Sequence, residues 1–82
     1  MTDAQTAIRE LLEQRGNGKT ICPSEAARVL AGSGGDWRDL MPRVHEAVDA
    51  LLGEGEIALS WKGEMLGERQ GPYRIARRSP RT

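Results

Sequence analysis

The stretch from Asp36 to Trp61, DWRDLMPRVHEAVDALLGEGEIALSW, constrains the fold most, because its hydrophobic period changes partway along. Val44, Ala47, Val48, Leu51 and Leu52 recur at helical spacing and make one apolar face. Beyond Gly53 and Gly55 the pattern from Glu56 to Lys62 alternates, with Ile57, Leu59 and Trp61 on one side and Ala58, Ser60 and Lys62 on the other. A helix must therefore pass through a glycine hinge into a half-buried strand. Pro42 cannot occupy a helix interior. Either Trp37–Met41, capped by Asp36, is a separate short turn, or one helix starts there and kinks at Pro42; the first reading is favoured, with a main helix over Pro42–Leu52.

The preceding residues supply a platform for that helix. Ala4, Ile8, Leu11 and Leu12, with Ala7 at the edge, form the stripe of a first helix. Thr2 or Asp3 caps it, Thr2 with Gln5 has capping-box spacing, and Gly16, Asn17 and Gly18 stop it. Lys19 to Ile21 is a short extended piece that could join a sheet. Pro23 suits the first turn of a second helix over Pro23–Ala31, with Ala26, Ala27 and Leu30 inward and Glu25 and Arg28 outside. After the main helix and its strand, a glycine-rich loop (Gly63 to Gly71) leads to a last strand over Tyr73–Arg77. Those two strands make a hairpin whose connection exceeds the usual two to five residues.

The order helix, short strand, helix, helix, hairpin predicts an α+β, mainly α fold, a winged helix with three helices, a small antiparallel sheet and a C-terminal β-hairpin wing. One domain over residues 1–78 is expected, with residues 79–82 a disordered basic tail. The 82 residues contain no Phe, so the core must be built from Leu, Ile, Val and Ala with Trp37, Trp61 and Tyr73. One cysteine, Cys22, excludes an intramolecular disulfide and a zinc cluster. No apolar run has the length of a membrane span, and the acidic, amphipathic N-terminus does not resemble a signal sequence. A cytoplasmic protein without a membrane partner is expected.

Particular residues also resemble a bacterial family catalogued as domain of unknown function 3253. The resemblance lies in Ile21-Cys22-Pro23-Ser24-Glu25-Ala26-Ala27-Arg28, Trp37-Arg38-Asp39-Leu40-Met41, Val44 with Ala47 and Leu51, Gly55-Glu56-Ile57, and Gly71-Pro72-Tyr73-Arg74-Ile75. It covers nearly the whole chain and implies a winged-helix-like fold. It implies no particular activity, so no catalytic or binding residue carries over. Some members hold a Cys-rich, zinc-ribbon-like segment ahead of the domain; these 82 residues include none.

Charge separates the candidate chemistries. Twelve bases balance twelve acids, but residues 69–82 carry five arginines and no acid, leaving seven bases against twelve acids before them. A DNA-reading winged helix lays its third helix in the major groove. Outside its apolar face this one offers Arg43, His45, Glu46, Asp49, Ala50 and Glu54, with no Asn or Gln to read adenine and only Arg43 for guanine. The basic residues of the wing and beyond are better candidates. Arg43, Lys62, Arg69, Arg74, Arg77 and Arg78 form the candidate nucleic-acid-binding set, contacting backbone without sequence preference, and Arg38 could lie near them. The plainer alternative is that Arg74 and Arg77 pair with acids of the third helix or first strand.

The competing function is a protein-interaction adaptor using the acidic third helix or a sheet edge, with Met41, Met65 and Leu66 as adaptable apolar contacts. Catalysis has little support. Cys22 precedes a helix N-terminus but reads as a small buried residue, and His45 reads as an exposed helix position. Trp61 shares a face with Ile57 and Leu59 and is expected in the core, while Trp37 is expected to plug the gap between the second and third helices. The sequence thus predicts a non-enzymatic monomer or weak homodimer, without cofactor or metal.

Overall fold

The computed structural model describes residues 3–16, 19–32, 35–69 and 71–78. Its elements in chain order are α1 (Ala4–Arg15), β1 (Thr20–Ile21), α2 (Pro23–Ala31), a 3-10 turn (Trp37–Leu40), α3 (Met41–Gly53), β2 (Ile57–Trp61), β3 (Glu64–Leu66) and β4 (Arg74–Arg77). Three helices and a four-stranded antiparallel sheet make an α+β, mainly α domain whose layout is compatible with a winged helix. Expectations that rest on Thr2, Asn17, Gly18, Ser33, Gly34 and residues 79–82 lie outside the described residues.

Local chemistry sets the element ends. The Asp3 carboxylate accepts the Thr6 N–H at 2.8 Å, so Asp3 is the cap of α1, and Gly16 closes that helix at φ +88°. Pro23 opens α2, and the Glu25 carboxylate reaches back to accept the Cys22 N–H at 2.7 Å. Glu25 is therefore half-buried in a capping role instead of lying fully outside. Asp36 caps the 3-10 turn by accepting the Arg38 N–H at 3.2 Å, and α3 follows with Pro42 in its first turn, where a missing N–H is harmless. The split that Pro42 implies is present, with α3 one residue longer at each end than expected.

The sheet order is β1-β4-β2-β3. The short piece after α1 does join it, with Thr20 opposite Ala76 and Ile21 opposite Ile75. The wing differs from the long-looped hairpin of the sequence. Lys62 and Gly63, at φ +50° and +86°, make a two-residue turn that folds Glu64–Leu66 back along β2. Positive φ at both central residues is the type I′ geometry whose twist matches the flanking strands. The glycine-rich segment thus contains a third β-strand of its own, which short length and the absence of alternation had concealed.

In register, Ile21, Ile75, Leu59 and Leu66 form one row across all four strands. The first three are fully buried and pack with Ile8 and Leu12 of α1, Ala26 and Ala27 of α2, and Val44, Val48 and Leu51 of α3. All three helices cover this face. Ala7 belongs to that core at 0% exposure, while Leu11 is only partly buried, because the stripe of α1 is centred one residue away from where its apolar spacing put it. Trp61, expected inside, is 38% exposed. Trp37 does sit at the edge of the helical core as expected, partly buried.

A sheet covered on one side only should respond asymmetrically to truncation. Leu59→Ala on the covered face is expected to cost about 2–5 kcal/mol in urea denaturation. Ser60→Ala, the next residue on the open face, should stay within about 0.5 kcal/mol of the parent. Similar losses at both positions would contradict a one-sided core.

Candidate nucleic-acid interface

The six basic candidates do not form one patch. Lys62 lies in the β2–β3 turn, at the end of β2 opposite to Ile57, which is in register with Arg77. The length of β2 separates them, about 15 Å at strand rise. Arg78 follows Arg77 and fixes the end of the sheet by donating its backbone N–H to the Glu56 carbonyl at 3.0 Å. Its side chain borders an open groove with Leu52, Met65 and Leu66. Arg43 stands apart on α3, on a groove shared with Ala4, Leu30 and Glu46.

Two candidates are tied to the fold. Arg69 forms a two-pronged pair with Asp49 of α3, Nε to Oδ1 at 3.0 Å and Nη2 to Oδ2 at 3.1 Å. The guanidinium holds the Asp49 carboxyl below its ordinary range and neutralises the charge that α3 shows there. The acid pairing considered for Arg74 and Arg77 is therefore made by Arg69 instead. Arg74 meets no carboxylate directly. Its Nε donates to the Thr20 hydroxyl at 2.7 Å and its Nη2 to the Thr20 carbonyl at 3.3 Å.

That arrangement fixes Arg74 on the face of the sheet that no helix covers. Residues there fall in two rows: Met65, Ser60 and Arg74 in one, and Ala58, Ala76 and Thr20 in the other. No strand position of this face carries a carboxylate. The acid at its β1 margin is Glu25. Partial burial would push the Glu25 carboxyl up, but the Cys22 N–H, the Arg15 guanidinium beside it and the charge of Arg74 bring it below the ordinary value. Arg15 also donates to the Thr20 carbonyl at 3.3 Å, so two guanidiniums converge on one backbone oxygen. Glu56 is drawn to the helical side by Arg9, with contacts of 2.8 and 2.9 Å.

The exposed side of α3 is a poor reading head. Glu46 and Glu54 remain exposed, and His45 is not available as an exposed side chain. Its Nδ1 lies 2.7 Å from the Tyr73 hydroxyl, with the two rings tilted and their centroids 5.8 Å apart. Burial pushes the Tyr73 phenol up to about 12, so Tyr73 stays protonated and shares a hydrogen bond with the His45 imidazole. Arg38 does not approach the wing. It lies 4.8 Å from the Trp37 ring centroid, with Arg28 at 4.9 Å from the same ring. Cys22 is half-buried, its Sγ 3.2 Å from the Ser24 hydroxyl. Among the described residues no group of three or more His, Cys, Asp or Glu could hold a metal ion, and no helix is long and apolar enough to cross a membrane.

The open sheet face was the feature that charge counting along the sequence missed. Its signal was present in the outward series Ala58, Ser60 and Arg74, Ala76: small residues and one cation, without an acid. With this geometry in place, comparison with known proteins is informative about family and silent about partner. Residues 2–78 match the family described as Protein of unknown function (DUF3253), and the chain belongs to that family. No curated protein matches it.

The His45–Tyr73 contact predicts a pH dependence. Burial, reinforced by Arg69, lowers the His45 pKa below its ordinary 6.5. The unfolded chain therefore binds a proton on His45 at a higher pH than the folded one, and stability must fall as pH drops below about 6.5. His45→Gln should flatten the decline in unfolding free energy that begins as pH falls below about 6.5, measured by urea denaturation. The carboxylates held low by Arg9, Arg15 and Arg69 act later, as pH falls through the acidic range. An unchanged slope in the variant would contradict a partly buried His45 whose protonation the fold disfavours.

Proposed function

We propose that this DUF3253 member is a non-catalytic domain that binds nucleic-acid backbone across the open face of its sheet, through Arg74 on that face, Lys62 at the hairpin tip and Arg78 at the opposite end of the sheet. Arg77 contributes at the margin. The observation that carries this reading is the acid-free face with a cation already fixed on it. Two of the five N–H groups of the Arg74 guanidinium are engaged by Thr20, which leaves three for phosphate oxygens. Little side-chain entropy is then lost on binding. The Thr20 and Ser60 hydroxyls add neutral donors, and Ala58 and Ala76 let a strand approach closely.

Backbone contact of this kind is independent of sequence and sensitive to salt. Arg69, engaged by Asp49, and Arg43, beside Glu46, stand outside the proposed surface. The domain would act in the cytoplasm as a monomer or weak homodimer, without a cofactor. A protein-adaptor role is the second reading, and Met65 favours it. This residue is 72% exposed on the outermost strand, beside the groove bordered by Leu52 and Leu66. An exposed edge of that kind can accept a partner's strand.

Binding to mixed-sequence DNA and RNA is expected at low salt and should weaken steeply as salt rises. Lys62→Ala, Arg74→Ala and Arg78→Ala should each reduce the slope of log affinity against log salt by about one, equally for all sequences. Undetectable or salt-insensitive binding would refute the proposal and leave the adaptor reading, for which Met65→Lys is the corresponding probe. The role of Thr20 has its own test. Thr20→Val should weaken binding in the parent protein and have no further effect once Arg74 is alanine. Additive losses would mean that Thr20 does not act through Arg74.

A further inference from the structure

Trp61 is the largest side chain left at the surface of the sheet. It takes the strand register that turns Ile57 and Leu59 inward, yet it is 38% exposed, whereas Tyr73 at the start of β4 is buried. In a chain with two tryptophans and no phenylalanine, half of the indole supply is spent outside the core. Lys62 follows at φ +50°, a conformation for which a type I′ turn favours Asn, Asp or Gly. A lysine held in a disfavoured backbone conformation is a feature that concentrates at ligand contacts. Its Nζ lies 6.0 Å from the centroid of the Trp61 ring. The hairpin tip thus presents an indole with a cation over its ring.

We propose that Trp61 and Lys62 form a stacking platform for one unpaired nucleobase, which makes the domain prefer single-stranded nucleic acid to fully paired duplex. This rests on the sheet-face reading, because the strand held by Arg74 on the open face must turn past Lys62 at the hairpin tip to place a base on Trp61, whose register is that of Ile57 and Leu59. Any base has a π-face, so stacking on the indole adds affinity without sequence preference. The Lys62 ammonium takes the phosphate next to the stacked base. Glu64, in register with Trp61, places a carboxylate on the other strand of the hairpin, so the backbone passes on the Lys62 side. A base inside a duplex has both faces covered by its neighbours and cannot use the platform. Arg74 and Arg78 contact phosphate in either form.

Two probes separate this inference from the reading beneath it: an oligothymidylate and a DNA dumbbell closed at both ends. In a Trp37→Phe background, Trp61 fluorescence should be quenched by the oligothymidylate at low salt and not by the dumbbell. Trp61→Ala in the otherwise parent protein should weaken oligothymidylate binding about tenfold and leave dumbbell binding within about twofold, with Trp61→Phe retaining most of the affinity. If Trp61→Ala weakens both probes equally, or if Arg74-dependent binding occurs without quenching, the platform is wrong and the sheet-face reading stands. If neither probe binds, both fall.

Discussion

The inward row of Ile21, Ile75 and Leu59 holds the architecture together, since it is where three of the four strands and all three helices meet. Each such side chain contributes about 1.5–3 kcal/mol through burial. In a chain without phenylalanine few other residues could replace them. Because the alternate positions are Ala58, Ala76, Ser60 and Thr20, the sheet has only one face able to attract helices. The open face is therefore a consequence of the same alternation that builds the core.

Electrostatics follow from that asymmetry. The ion pairs of the described residues, Arg9 with Glu56, Arg15 with Glu25 and Arg69 with Asp49, all join a helix to a neighbouring element on the covered side or at its margin. As solvent-screened surface pairs each contributes little to stability. Their larger effect is on where charge remains. The paired acids Glu56, Glu25 and Asp49 are neutralised in or beside the helical layer, while Arg74 on the uncovered sheet is hydrogen-bonded to the Thr20 hydroxyl and carbonyl and attracted by Glu25 at the β1 margin. A domain of zero formal charge can in this way present a locally cationic surface.

Helix and strand positions were legible wherever the hydrophobic period was long. The face of α3, the break before Pro42 and the alternation of β2 all follow from spacing. What escaped was decided by tertiary contact. β3 has three residues, too few for alternation to register, and its turn places a lysine where Asn or Gly would have announced a type I′ hairpin. His45 looked exposed because its partner, Tyr73, is 28 residues away. Trp61 looked buried because alternation fixes which face a side chain takes, not how far the helices extend over it. The candidate arginines were identified by composition, which cannot say that Asp49 engages Arg69 or that the length of β2 lies between Lys62 and Arg77.

The central claim is that ligand meets the uncovered face of the sheet and not the exposed side of α3. Backbone amide shifts in a two-dimensional 1H–15N NMR titration with a short oligonucleotide test it most directly. The account predicts that the shifted amides cluster at Thr20, Ala58, Ser60, Lys62, Arg74 and Ala76, with Glu46, Ala50 and Glu54 unmoved. Shifts centred on Glu46, Ala50 and Glu54, with the sheet silent, would contradict it.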